Sequence, residues 1–204
     1  MLGHDKLLNF KTHINEILKS CYFHLWNITK IKSVLSHSDL EKVIHAFVFS
    51  RLDYCNALYT CLSQTLVTRL QLVQNTAARI LTNTNRRAHI TPILASLHWL
   101  PVKFRIDFKI LLITFKAQHG LAPTYISQLL TPCNISRNLR SASLSLLAVP
   151  RSRLATQGDR AFSVRAPRLW NSLLDEIRLA NSIPIFKSLL KTYFYRKAFL
   201  TCNL

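Results

Sequence analysis

Between Ile135 and Arg168 every basic residue is an arginine: Arg137, Arg140, Arg151, Arg153, Arg160, Arg165 and Arg168, with Asp159 the only acid. A guanidinium is a planar fork that meets a phosphate through paired hydrogen bonds and stacks flat on a base. An arginine-only stretch with Phe162 and Trp170 beside it therefore suits a nucleic-acid surface. Upstream, Arg79, Arg86 and Arg87 lie along and after one helical pattern, and Arg105, Lys109 and Lys116 share a strip of another. A merely solvated surface is the competing reading. Against it stands a net charge of +18, from 27 Lys and Arg and nine Asp and Glu, which is far more than solubility requires. Such a surplus repels itself in a folded chain unless an acidic partner is at hand. Phosphate backbones fit that role, because each neutralised phosphate releases a counterion and adds salt-dependent affinity without reading sequence. An anionic membrane is the competitor, but no span is found: the most apolar stretch, Phe108 to Phe115, contains Lys109 and is far shorter than ~20 residues.

Catalytic patterns are sparse. A two-metal polymerase or nuclease needs clustered carboxylates, and the only adjacent acids are Asp175-Glu176, on a helical pattern beside Arg178, where a solvated helix surface is the better reading. Asp53 and Asp107 stand alone, near Arg51 and Lys103, and structural pairing is expected of both. Cys21-x-x-His24, followed by His37, His45, Cys55 and Cys61, has no spacing that closes a tetrahedral zinc set. No local signature links a nucleophile to a base. The three glycines, Gly3, Gly120 and Gly158, form no phosphate-cradling loop, so nucleotide-binding P-loop and dinucleotide folds are excluded. The chain reads as a non-enzyme without catalytic residues, metal or cofactor. Five scattered cysteines make a poor disulfide framework, and the first residues have neither a secretory nor a transit composition. An intracellular, reducing location, nuclear or cytoplasmic, is expected.

The elements that must carry these cations are mostly helical. With 49% hydrophobic residues over 204 positions the chain has enough apolar material for a sizeable core. From Thr12 to about Ser36 the residues Ile14, Ile17, Leu18, Cys21, Tyr22, Leu25, Trp26, Ile28, Ile31 and Leu35 recur at three-and-four spacing. Ser38-Asp-Leu-Glu41 has the form of a capping box opening a helix to about Leu58. Ser63 or Thr65 starts a third run with Leu66, Leu70, Val73, Ala77, Ile80 and Leu81 as its stripe and Thr68, Gln71, Asn75 and Arg79 pointing away. Pro92 and Pro101 bracket a short segment, Thr91 to Leu100. The helix Pro101 to His119 is apolar on two opposite sides, Phe104, Phe108, Leu111 and Phe115 against Val102, Ile106, Ile110 and Ile113. It is expected to be packed on both, with Arg105, Lys109 and Lys116 reaching an edge. Gly120 should end it, and Pro123 starts a short helix to about Leu130. Leu144 to Val164 alternates around Gln157-Gly158-Asp159 and reads as a small β-hairpin. Helices follow over Ala166 to about Leu179 and from Ser182 onward, the last with Lys187, Lys191, Arg196 and Lys197 outward. The expected class is mainly α, a bundle of about seven or eight helices with one hairpin in the C-terminal third. Residues 1–134 carry 15 basic and 6 acidic residues and residues 135–204 carry 12 and 3, so charge density nearly doubles. The expected domains are a helical 1–134 and an arginine-rich 135–204.

The blocks Arg51-Leu-Asp-Tyr-Cys-Asn-Ala-Leu58, Leu70-Gln-Leu-Val-Gln-Asn-Thr-Ala-Ala-Arg-Ile-Leu81, His89-Ile-Thr-Pro-Ile-Leu-Ala-Ser-Leu-His-Trp-Leu-Pro-Val102, Phe104-Arg-Ile-Asp-Phe-Lys109, Gly120-Leu-Ala-Pro123, Gly158-Asp-Arg-Ala-Phe-Ser163 and Ala166-Pro-Arg-Leu-Trp-Asn171 resemble, in order and spacing, the C-terminal part of the reverse transcriptase of jockey-like LINE retrotransposons. The resemblance runs from about Leu7 to Phe199. It implies a thumb-like region and tail downstream of the polymerase palm, without the palm's Asp-Asp metal motif, which this chain lacks, and without the endonuclease. It also implies a role in gripping RNA or an RNA–DNA duplex. Translation from Met1 alone would make the chain a truncated insertion. Two other readings stand beside it: a structural module whose apolar faces dock on the missing palm, which should expose an apolar patch and self-associate, and a relic reading frame with no selected function.

Overall fold

Apolar spacing sets the first helix, and packing then selects which of its residues are covered. The computed structural model describes residues 10–133, 145–151 and 161–200. In α1 (Lys11–Ile31) Ile14, Leu18, Cys21, Leu25 and Ile28 are buried, whereas Tyr22, Trp26 and Ile31 of the expected stripe are exposed. A stripe of three-and-four spacing that includes both 21/22 and 25/26 is wider than the surface its neighbours cover, so one edge stays in water.

Ser36, rather than Ser38, caps α2 (His37–Ile44): its hydroxyl accepts from the Asp39 amide at 3.1 Å and bonds the Asp39 carboxylate at 2.7 Å. The same Ser-x-x-acid logic operates, displaced by two residues. A single π-turn at His45–Phe49 follows, then α3 (Ser50–Asp53). The extra residue in the turn brings Val48 and Phe49 together into the core, with Phe49 edge-on to Trp99 at 4.6 Å between ring centroids. Cys55 in the left-handed region (φ 51°) ends the run, so the helix expected to continue to Leu58 gives way to a 3-10 segment at Asn56–Cys61.

Helix α4 (Gln64–Thr82) begins after Ser63 and packs on α1 through Leu70, Val73, Ala77, Ala78 and Leu81. Asn83 takes the left-handed cap position (φ 51°), and the Thr84 amide reaches back to the Arg79 carbonyl at 3.1 Å, a Schellman-type ending. After α5 (Ile90–Ser96), Gln71, Gln74 and Asn75 of α4 form an amide network: Gln74 donates to the Leu100 carbonyl and Gln71 accepts from the Val102 amide. Gln71, expected to face away, thus satisfies a backbone group at the start of the next helix, and Asn75, expected to face away with it, accepts from the Gln71 side chain.

That helix, α6 (Val102–Gln118), is covered on both apolar sides: Val102, Ile106 and Ile110 on one and Leu111 and Phe115 on the other are buried. Gly120 (φ 68°) closes it, the Leu121 amide bonding the Lys116 carbonyl at 2.8 Å. A short α7 (Thr124–Ser127) follows Pro123.

The expected β-hairpin over 144–164 is not supported. Among the described residues there is no strand, and Phe162 to Val164 already belong to α8 (Phe162–Asn171). The turn signal Gln157-Gly158-Asp159 lies outside the described residues. Leu147 instead forms an isolated antiparallel bridge with Pro132, further upstream, through Cys133–Leu146 and Ala148–Thr131 backbone hydrogen bonds. Its other edge is filled by a side chain: the Asn171 amide both accepts from the Leu147 N–H (3.0 Å) and donates to its carbonyl (2.8 Å). The helix expected from Ala166 to Leu179 is broken in two, α8 and α9 (Asp175–Arg178), before α10 (Ile183–Phe199).

Residues 1–103 and 104–204 pack as two units, a division by packing where the change in charge density at residue 134 is one of composition. In the second unit α10 lies along α6, Phe194 against Phe104 and Phe186 stacked on Phe115 at 4.3 Å, with the fully buried Trp170 of α8 stacked on Phe186.

Candidate nucleic-acid interface

Helix α6 shows how this fold displays positive charge. With apolar residues on two sides, only two narrow strips remain for polar groups. At 100° per residue Arg105, Lys109 and Lys116 fall within about 40° of one another. Lys109 is exposed, while Arg105 and Lys116 are half-buried. Lys103, on the other strip, is also exposed.

Asp107 is on the far side of α6 from that strip, about 160–200° away. Its buried carboxylate takes the Arg165 guanidinium of α8 at 3.2 Å. The pairing expected of Asp107 is present, with Arg165 rather than the sequence neighbour Lys103 as the resolved partner. Arg165 is thereby committed to holding α8 on α6 and sits opposite the Lys109 strip. Arg168, one turn on, is exposed, and so is Arg151.

In the first unit Arg79 is also half-buried and tied to structure, donating to the Ala88 carbonyl at 3.2 Å across the loop that follows α4. Arg86 and Arg87, in that loop, are exposed, and neither forms an ion pair among the described residues. Arg137, Arg140, Arg153 and Arg160 lie outside the described residues. Arg79, Arg86 and Arg87 belong to one packing unit and the remaining described candidates to the other.

The aromatic half of the arginine-rich reading needs correcting. Trp170 has no exposed surface, and its indole N–H donates to the Ser145 carbonyl at 2.8 Å, so the ring is unavailable to a base. Phe162 is half-buried. Arg178 was expected on a solvated helix surface, yet it is 5% exposed and donates to the Asn171 and Leu173 carbonyls where α8 ends, its other nitrogen paired with Asp175. No periodicity could have marked it, because a four-residue helix has none to read. Lys187, Lys191, Arg196 and Lys197 are exposed on α10 and extend the cationic surface beyond the expected set.

Four of the seven acids among the described residues lie against a basic side chain. Asp39 pairs with Lys42, Glu41 with His45, Asp107 with Arg165 and Asp175 with Arg178. The Asp39 carboxyl is held below its ordinary range, first by the Ser36 hydroxyl and then by Lys42. Cys21 and His24 each have a protein partner: the Cys21 thiol is buried against the Val48 carbonyl, and desolvation pushes its pKa to about 11 in spite of Arg51. His24 meets Arg51 at 3.0 Å, and slight desolvation together with that cation holds its pKa below the usual value. Among the described residues no three His, Cys, Asp or Glu side chains are grouped to share a metal ion, and no helix is long and apolar enough to cross a membrane.

No family model, curated protein or solved structure matches this chain. Its own residues therefore carry the functional argument.

Proposed function

We propose that the chain is a non-catalytic nucleic-acid-binding fragment of a retrotransposon reverse transcriptase, a thumb-like region that grips RNA or an RNA–DNA duplex through its exposed cations. The observation that carries the reading is the fate of the charges. Asp39, Asp107 and Asp175 each pair with a lysine or arginine, while Arg86, Arg87, Lys109 and Lys116 form no ion pair among the described residues. Cations left without intramolecular partners in so basic a chain are what a phosphate backbone neutralises. The motif blocks named above supply the retrotransposon part of the proposal.

Binding of a labelled RNA–DNA duplex at several salt concentrations tests it. Affinity should fall steeply with salt, and Lys109→Ala with Lys116→Ala should lower the slope of log K against log salt by about 2. No binding at low salt, or binding insensitive to salt, would overturn it.

A second reading, a module that docks on the absent palm, draws on Leu121, Tyr125 and Leu129, exposed around α7. Sedimentation of the isolated chain tests that one: a monomer at high concentration argues against it.

A further inference from the structure

Helix α1 leaves uncovered a line of residues whose chemistry its packing does not use. Lys19, Phe23, Trp26 and Lys30 fall within about 60° of one another around the helix, a single stripe some 16 Å long at 1.5 Å rise per residue. All four are exposed, Phe23 and Trp26 each at 58%, and Tyr22 borders them. The rings continue sideways: Phe23 meets His24 edge-on at 5.6 Å, His24 lies 5.3 Å from Phe47, and Arg51 reaches His24. Lys30 sits over the Trp26 ring, 3.3 Å from its centroid, so this ring already accepts a cation on its face. Between Glu16 and Asp39 the chain carries no acid.

We propose that this stripe is a stacking platform for the unpaired bases of a single nucleic-acid strand, Phe23 and Trp26 taking bases and Lys19 and Lys30 taking the flanking phosphates. Every base has a π-face, so such a platform tolerates any sequence, and its length suits roughly three to five nucleotides. An apolar protein partner fits worse. It would bury the lysines at both ends of the rings with no acid on this chain to meet them, whereas a polynucleotide brings its own phosphates to the places where the ammonium groups stand. The inference rests on α1 and not on the cations of α6 and the loop after α4, so the two readings can fail separately.

Trp26 offers a direct probe, because Trp99 and Trp170 are buried. Titrating the full chain with a twelve-residue oligo-dT or oligo-U should quench its tryptophan emission, and a blunt twelve-base-pair duplex should quench it far less. In anisotropy measurements, Phe23→Ala and Trp26→Ala should each weaken binding of the single strand by roughly 5- to 150-fold. Duplex affinity should stay within twofold, and Trp26→Phe should keep most of the single-strand binding. Thermal melts of the variants should match the parent chain, since the rings are exposed. Three results would overturn the proposal: no quenching by either oligonucleotide, equal losses on single strand and duplex, or a self-associated chain whose Trp26 is shielded from iodide. Loss of salt-dependent duplex binding with quenching intact would sink the thumb-like reading alone.

Discussion

Replacing Arg178 with methionine isolates the interaction that ends α8. The guanidinium, 4% exposed at its side chain, donates to the Asn171 carbonyl at 3.1 Å and the Leu173 carbonyl at 2.8 Å, and its other nitrogen meets Asp175. Methionine preserves most of the volume and removes both charge-assisted hydrogen bonds, each contributing roughly 1.5–3 kcal/mol. Relief of the guanidinium's desolvation, including its Nε, which has no hydrogen-bond partner, offsets part of that loss. The expected net cost is about 3 kcal/mol, or roughly 6–12 °C in Tm for a chain of this size. Asp175 is 55% exposed, so Asp175→Asn weakens a solvent-screened pair and should cost less than about 1 kcal/mol. Urea denaturation followed by circular dichroism, with both single variants and the double variant, measures the difference. Equal losses in the two single variants, or a loss below about 1 kcal/mol in Arg178→Met, would refute the assignment of the stabilisation to the carbonyls rather than to the ion pair.

Other expectations separate structural from displayed groups. Arg165→Met should lower stability by roughly 1–2 kcal/mol, discounted for its partial exposure, and leave the salt slope of nucleic-acid binding nearly unchanged, whereas Arg86→Ala should do the reverse; paired melts and binding isotherms check this. Asn171→Ala removes both hydrogen bonds to Leu147, so trypsin should cut sooner after the exposed Arg151, and an unchanged digestion rate would argue against the clamp. In alkali the folded chain should lose stability. Burial raises Cys21 from 9.0 to about 11 and Tyr59 from 10.0 to about 12, so both protons are bound more tightly when folded and stability declines as pH rises from about 9 through 12. Cys21→Ala should flatten the lower part of that decline. In acid the sign is opposite for Asp39, whose lowered pKa contributes above the ordinary carboxylate range and is lost as pH falls through the folded value. Ser36→Ala should bring the Asp39 titration, followed by NMR, back toward normal.

Helical periodicity and turn chemistry were legible in the amino-acid order. The α1 and α4 helices, the glycine that closes α6 and the two-sided burial of α6 follow from local spacing, because a helix repeats every 3.6 residues whatever lies around it, whereas which edge of the α1 stripe is covered does not. The basic surplus was equally plain, since charge is counted without geometry. Some local readings went astray where two solutions compete over a few residues. Ser36 and Ser38 each precede an acid three positions later, and only the backbone at Ser36, extended at ψ 157°, makes it the cap.

Tertiary contact decided the rest. Local alternation around Leu147 is compatible with a hairpin, yet Thr131 and Cys133, bonded to Ala148 and Leu146, and the Asn171 side chain, bonded to Leu147, satisfy this backbone from a distance in sequence instead. Likewise, nothing in the spacing separates Arg165 and Arg178, whose terminal nitrogens meet Asp107, Asp175 and backbone carbonyls, from Arg86 and Arg87, which are left to solvent. Residue type establishes that a cation exists and roughly where along the chain. Whether its hydrogen bonds are spent inside the protein or offered to a ligand depends on which carbonyls and carboxylates the folded chain brings within 3 Å or so, and that is a property of three-dimensional packing alone.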